Sequence, residues 1–427
     1  MTTDTAAPLP DTTEAELDRV LTAAAAAAPV LGGMRPGERA ELLRRVADAL
    51  DAAAEELVPI AQAESHLPEA RCRSELGRTT FQLRFFADVL DEGSYLEASV
   101  DTADPQWGMG PRLDVRRMLV PLGPVIVFGA SNFPFAFSTA GGDTASALAA
   151  GCPVVVKAHP GHPRLAWRTG AVVSEALADA GAPGGAFAVV FGTETGRRAV
   201  LHPQTRAVGF TGSIRGGRAL HDLAASRPDP IPFYGELGSL NPVFVTRAAM
   251  AKRGEEILSG YADSFTLGVG QFCTKPGVLL VPEGTGLDTL VDNLTQRNRA
   301  PLLNESVAGG FDERLGELAE HPVTEVLVRG AATEDGWTPH CCARTSTRCS
   351  PTPMFCWRSA SARPRWWSST PRRTGCWRWP AYCRGSSPRP CTPRRTATAT
   401  RSPRGCWTSS PRRPGASCGT GGPPGSR

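Results

Sequence analysis

Two residues have the types and spacing for covalent chemistry at a carbonyl carbon. Cys273 sits in a glycine-bracketed loop, Gly270-Gln-Phe-Cys-Thr-Lys-Pro-Gly277, fewer than forty residues after Glu236 of Tyr234-Gly-Glu-Leu-Gly-Ser-Leu-Asn-Pro242. A thiol attacks only as thiolate, and a free cysteine with a pKa of about 8.5 is ionised to a few per cent at neutral pH. A carboxylate base supplies what the sulfur lacks. Taken alone, the loop also fits a small buried hydrophobe, the commoner role of a lone cysteine.

Such a pair needs elements that hold a substrate beside it. Pro121-Leu-Gly-Pro-Val-Ile-Val-Phe128 reads as a buried strand running into the turn Gly129-Ala-Ser-Asn132, where an asparagine amide can face an oxyanion. Gly151-Cys-Pro-Val-Val-Val-Lys157 is a second short β-branched strand with a cation at its carboxyl end, the edge at which open α/β sheets bind ligands. Ala207-Val-Gly-Phe-Thr-Gly-Ser213-Ile-Arg-Gly-Gly217 is a strand, a glycine turn and a helix start. Its backbone N–H groups can approach a pyrophosphate, although by spacing alone a plain strand-helix turn fits as well.

The order Asn132, Lys157, Gly212 to Gly217, Glu236, Cys273 resembles the aldehyde dehydrogenase superfamily from about Glu14 to Gly330. The wording Gly129-Ala-Ser-Asn-Phe-Pro-Phe, Lys157-Ala-His-Pro160, Tyr234 to Pro242 and Gly270-Gln-Phe-Cys-Thr274 is similar to its 2,5-dioxopentanoate (α-ketoglutarate semialdehyde) dehydrogenase subgroup. The resemblance implies Cys273 as nucleophile, Glu236 as general base for deacylation and Asn132 as oxyanion donor. It implies Lys157, Gly212, Ser213 and Gly217 as contacts of an NADP or NAD cofactor. Three residues after Lys157, where many NAD-preferring relatives carry a glutamate, this chain has Pro160, so a 2′-phosphate is not repelled and NADP is allowed.

The expected fold is α/β, with a parallel-sheet dinucleotide-binding domain over residues 14–245 after a flexible leader, 1–13, and a partial catalytic domain over 246–335. Helical periodicity covers Glu14 to about Ala63 and about Glu69 to Leu90. The Pro- and Gly-broken stretch at about 96–117 reads as a protruding hairpin, which in the family serves homo-oligomerisation. From Met118 to about Pro242 short apolar strands alternate with Ala-rich helices, the βαβ pattern of a parallel sheet.

Residues 336–427 break this pattern. They contain no Leu, Ile, Val, Asp, Glu, Lys, Asn or Gln, yet hold nine of the twelve cysteines, seven of the nine tryptophans and seventeen arginines. The tail therefore carries +17 and the rest of the chain −13, so the net +4 describes neither. No C-x-x-C pair supports a zinc module, and no metal site is expected. An Arg/Pro/Ser-rich tail can bind polyanions, but no specific nucleic-acid partner is expected. The preferred reading is a shifted reading frame from about residues 336 to 341 of a GC-rich gene, in which Cys and Trp codons stand where Leu and Val codons belong. Shifting Met354 to Arg363 with permissible codons returns Val-Leu-Leu-Glu-Glu-Cys-Phe-Gly-Pro, similar to the family's Glu-x-Phe-Gly-Pro motif. A tail without core material is expected to be disordered.

Several other residues stay open. His159 and His162 flank a Pro-Gly loop rather than a helical ligand face, Arg215 and Arg218 suit either a 2′-phosphate or solvent, and Cys152 reads as core. Lys275 can lower the thiol pKa or face outward. No apolar signal core occupies the first twenty residues and no run reaches membrane-spanning length, so the expectation is cytoplasmic. The function expected from the resemblance is NAD(P)-dependent oxidation of an aldehyde. The alternatives are a catalytically dead frameshifted product, a dehydrogenase of another aldehyde, and a cofactor-free cysteine hydrolase, which leaves the nucleotide-site segments unexplained.

Overall fold

The Glu14–Gly33 helix begins where a capping box places it: Thr13 Oγ1 accepts from the Glu16 N–H at 3.3 Å, and the Glu16 carboxylate accepts from the Thr13 N–H at 2.9 Å. Two donors left over at a helix start are thus satisfied reciprocally. Where the sequence suggests a loose leader, Thr12 is tied to the end of a strand, its N–H donating to the Phe191 carbonyl at 3.0 Å and its hydroxyl accepting from the Phe191 N–H at 2.9 Å. The helices Pro36–Ala52, Ala54–Ser65 and Glu69–Glu92 follow. Leu43, Val46 and Leu50 of the first of these share a buried cluster with Leu76, Leu83 and Leu90 of the last. The computed structural model describes residues 9–297, 300–322, 324–330, 332–333, 336–346 and 352–356, all within the unit Met1–Trp367.

A hairpin lies where the sequence places one. Ser99–Asp101 pairs antiparallel with Val115–Arg117 and leaves Met109, Leu113 and Val115 exposed.

Short β-branched runs build the central sheet. Val125–Phe128 and Val154–Lys157 are buried along their whole length, as strands are when helices cover both sheet faces. The five strands run parallel in the order Phe187–Val190, Val154–Lys157, Val125–Phe128, Ala207–Gly212, Phe233–Leu237. The chain starts in the middle, winds outward to one edge, then returns past its starting strand to the other. That reversal opens a crevice at the carboxyl ends of Val125–Phe128 and Ala207–Gly212, where α/β sheets bind their ligands.

A second five-stranded sheet carries the remainder, in the order Glu325–Val328, Cys341–Ser346, Thr352–Cys356, Val278–Leu280, Pro242–Phe244. Its core gathers Leu258, Tyr261, Phe265, Leu279, Leu290 and Phe311. Cys341–Ser346 and Thr352–Cys356 belong to the stretch expected to be disordered from residue 336; in the structure they are strands, because ladder hydrogen bonds come from the backbone whatever the side chains. Cys341 and Cys342 are buried there, taking the place of small hydrophobes. Gly336–Trp337, at the start of the same stretch, pairs antiparallel with Ala332–Thr333. Of the expected disordered tail, residues 347–351 and 357–427 lie outside the described residues. Among the described residues no helix is long and apolar enough to cross a membrane, and no cluster of His, Cys, Asp or Glu is suited to a metal ion.

Candidate active site

A cleft of about 460 Å³ opens at the switch point and is lined by Asn132, Gly212, Ser213, Glu236 and Cys273. Five of the seven residues singled out in the sequence therefore face one space. Asn132 comes from the turn after Val125–Phe128, Gly212 and Ser213 from the end of Ala207–Gly212, and Glu236 from Phe233–Leu237, where it pairs with Thr211. The Glu236 side chain is exposed.

The Cys273 loop is held by its carbonyls. Asn132 Nδ2 donates to the Gln271 carbonyl at 2.8 Å, and Asn241 Nδ2 donates to the Cys273 and Lys275 carbonyls at 2.7 and 3.0 Å. Tyr261 Oη donates to the Pro276 carbonyl at 3.1 Å. An amide NH2 carries two donors, so the Asn132 bond to Gln271 leaves one N–H for a ligand. Gly268, Val269 and Gly270 enter the loop at φ of +57°, +57° and +68°. Two glycines take this left-handed region freely, but Val269 is β-branched and strained there. Lys275, open to either an electrostatic or an outward-facing role, is buried with 4 % exposure. Asn241 was not singled out from sequence, although an asparagine before proline at a strand entry is a turn signal; its φ of +46° is a conformation that asparagine tolerates.

A cluster behind Phe272, which itself lines the cleft, was missed entirely. The Arg71 guanidinium lies 4.7 Å from the Phe133 ring centroid and 4.2 Å from that of Phe272, the neighbour of Cys273. Arg71 pairs with Glu75 at 3.2 Å, and the other Glu75 oxygen accepts from the Phe135 and Ala136 N–H groups at 2.9 and 3.0 Å. Burial pushes the Glu75 carboxyl above its ordinary range, against the pull of those two N–H groups and of Arg71. The sequence signal was the Arg/Glu spacing of four on one helix face.

The opposite wall suits an anion. Ser213 caps the Ile214–Ser226 helix by accepting from the Gly216 N–H at 3.1 Å, and the helix start faces the cleft with Arg215. Lys157 ends its strand buried, its pKa lowered by that burial, with Asp11 resisting. It does not line the cleft, and neither does Gly217. A Cβ on Gly217 would stand 2.0 Å from Leu237 Cδ2, so this glycine lets the helix approach the strand that bears Glu236. His159 lines the cleft, stacked on His162 with ring centroids 5.4 Å apart. Burial, with His162 and Lys157 adding, pushes its pKa down to about 3. His162 Nε2 lies 2.9 Å from the Ala130 carbonyl and donates to it.

Comparison with known proteins agrees with this geometry. Residues 1–308 match the model of the aldehyde dehydrogenase family. The chain is 46% identical over 302 residues to alpha-ketoglutaric semialdehyde dehydrogenase 2 of Azospirillum brasilense, covering 69% of this chain and 58% of that protein. It is 42% identical over 301 residues to alpha-ketoglutaric semialdehyde dehydrogenase of Acinetobacter baylyi, covering 70% of this chain and 57% of that one. The chain thus spans less than two thirds of the length of these curated relatives. Among solved structures, an NAD-dependent benzaldehyde dehydrogenase from Corynebacterium glutamicum superposes with a TM-score of 0.66 at 23% identity, over 78% of this chain and 71% of that one. A 3,6-anhydro-L-galactose dehydrogenase in complex with NAP superposes with a TM-score of 0.65 at 22% identity, over 77% and 70%. A parallel sheet with its polar residues at one switch point, an asparagine-pinned cysteine loop and a family match over most of the chain lead to one conclusion: the chain belongs to the aldehyde dehydrogenase family.

Proposed function

We propose that the chain carries the site of an NAD(P)-dependent dehydrogenase that oxidises 2,5-dioxopentanoate (α-ketoglutarate semialdehyde) to the dicarboxylic acid through a thioester on Cys273. The convergence of Cys273, Glu236 and Asn132 on one cleft carries this reading, and the names of the two relatives support the substrate.

Cys273 Sγ adds to the aldehyde carbon, and the carbonyl π bond becomes an oxyanion. The second N–H of Asn132 and the Cys273 backbone N–H are its donors, of a type whose loss costs about 10²–10³ in rate. The residues fit a phosphate-bearing cofactor: a capped helix start at Ser213, bare backbone at Gly212, and the cations Lys157 and Arg215. Bound there, the nicotinamide supplies the hydride acceptor. Glu236, exposed to the cleft, takes the proton of the water that hydrolyses the thioester. Gly217 acts indirectly, by seating the helix against Leu237. Pro160 leaves room for either NADP or NAD. The exposed apolar residues of the Ser99 to Arg117 hairpin support a homo-oligomer.

The composition break at residue 336 supports a second reading of this particular chain, as a frameshifted and inactive form of such an enzyme. One experiment separates the two. Purified chain with NADP or NAD and 2,5-dioxopentanoate is expected to form reduced nicotinamide only once the frame after residue 336 is restored. Turnover by neither form sinks the dehydrogenase reading; equal turnover by both sinks the frameshift.

A further inference from the structure

The helix Glu69–Glu92 presents Arg71, Glu75 and Arg78 on one face, at spacings of four and three. Glu75 is fully used: one oxygen takes the Phe135 and Ala136 N–H groups and the other takes Arg71. Arg71 is likewise committed, clamped between Phe133 and Phe272 and neutralised by Glu75. Arg78 is left over. Its guanidinium stacks 5.1 Å from the Phe137 ring centroid and 5.8 Å from that of Phe133, and it forms no ion pair or hydrogen bond among the described residues. An arginine backed by aromatic rings loses little entropy on binding and keeps its planar fork available for a carboxylate.

The rings behind it lead to the reacting groups. Phe133 directly follows Asn132, Phe272 directly precedes Cys273, and the two rings meet edge to face with centroids 5.6 Å apart. The arginines that line the cleft are otherwise placed: Arg314 pairs with Glu317, and Arg215 stands at the helix start beside Ser213. Arg78 does not line it and is reached from Phe272 over the Phe133 and Phe137 rings. An aldehyde whose carbonyl sits at Cys273 and whose chain follows the Phe272, Phe133 and Phe137 rings reaches Arg78, a cation stacked on the last two of these rings.

We propose that Arg78 recognises the carboxylate at the far end of the substrate and so selects carboxylate-bearing semialdehydes over plain aldehydes, with Arg71 and Glu75 holding the aromatic wall on which it lies. This rests on the reading of Cys273 as the nucleophile. The test needs no turnover. Addition of the Cys273 thiol across an aldehyde forms the C–S bond, breaks the carbonyl π bond and moves the thiol proton to oxygen, which blocks alkylation of the sulfur. In the full chain, alkylation of Cys273 by iodoacetamide is followed by mass spectrometry of its peptide, with 2,5-dioxopentanoate or pentanal as protectant.

The unsubstituted chain is expected to be protected at a lower concentration of 2,5-dioxopentanoate than of pentanal. Arg78→Gln is expected to shrink that ratio by roughly 10- to 100-fold, the range for a lost charge-assisted pair, and Arg78→Lys to restore part of it. A ratio near one in the unsubstituted chain, or one unchanged by Arg78→Gln, overturns the assignment while leaving Cys273 as nucleophile. Failure of both aldehydes to protect overturns the nucleophile reading and this assignment with it.

Discussion

The side-chain amide of Asn241 donates to the backbone carbonyl of Cys273 at 2.7 Å, joining the segment after Glu236 to the Cys273 loop. The same amide reaches the Lys275 carbonyl at 3.0 Å, so one side chain spans both sides of Thr274. Asn241→Gly keeps the left-handed backbone and removes both bonds. In the frame-restored chain it is expected to lower kcat/KM about 100-fold, the cost of misplacing a reacting group by about 1 Å. Asn241→Ala should show the same loss plus about 1–2 kcal/mol of destabilisation from its φ. A glycine variant with near-normal kcat/KM would remove Asn241 from the positioning of Cys273.

Cys273→Ala in the frame-restored chain is expected to abolish turnover while retaining affinity for NADP or NAD, because in the proposed mechanism the sulfur forms the covalent bond and the Gly212 to Ser213 turn holds the nucleotide. Glu236→Gln should give a burst of reduced nicotinamide, then a steady state slower by about 10²–10⁴. Stopped-flow absorbance reads both phases, and equal loss of burst and steady state moves Glu236 to an earlier step.

Glu75→Ala leaves the Phe135 and Ala136 N–H groups buried without their acceptor and Arg71 without its anion. The expected cost is about 3–5 kcal/mol in urea unfolding, typical of breaking a buried pair. Exposed partners behave differently: Glu55→Ala, which leaves Arg73 paired with Glu69 at the surface, should leave the urea midpoint nearly unchanged. Equal effects of the two would contradict the burial argument.

His159 is neutral in the folded chain down to about pH 3, whereas an unfolded histidine takes its proton near 6.5. Below pH 6.5 the unfolded state therefore binds the extra proton. The stabilisation is complete above that pH and is lost toward pH 3, at about 1.4 kcal/mol per unit for this site. His159→Gln should flatten the stability profile between pH 6.5 and 4.5; an unchanged slope would mean that the imidazole is already solvated when folded.

Much of the fold was legible because its signals are local. The buried runs Val125–Phe128 and Val154–Lys157 read as strands from their β-branched content, and Asn132, Gly212 and Ser213 read as turn residues after such strands. Partners that meet only through tertiary packing were not legible. Arg71 and Glu75 are an ordinary surface pair in sequence, and only the fold brings them to the Phe133 and Phe272 rings. Gly217 read as a nucleotide contact because glycine after a strand serves two ends; contact with Leu237 distinguishes close packing from ligand approach. The strands at Cys341–Ser346 and Thr352–Cys356 escaped notice because the stretch from residue 336 lacks the Leu, Ile and Val by which strands are recognised.

The lateral neighbour of Val278–Leu280 has a consequence for the order of events during synthesis. This strand begins five residues after Cys273, and one of its edges is completed by Thr352–Cys356, more than seventy residues further along the chain. All five strands of the parallel sheet precede Gly238, so a nascent chain emerging from the ribosome can close this sheet first. The thiol's own scaffold must wait for that distant segment. Any alteration of translation between them reaches the Cys273 loop through its missing neighbour, while the parallel sheet has already been made.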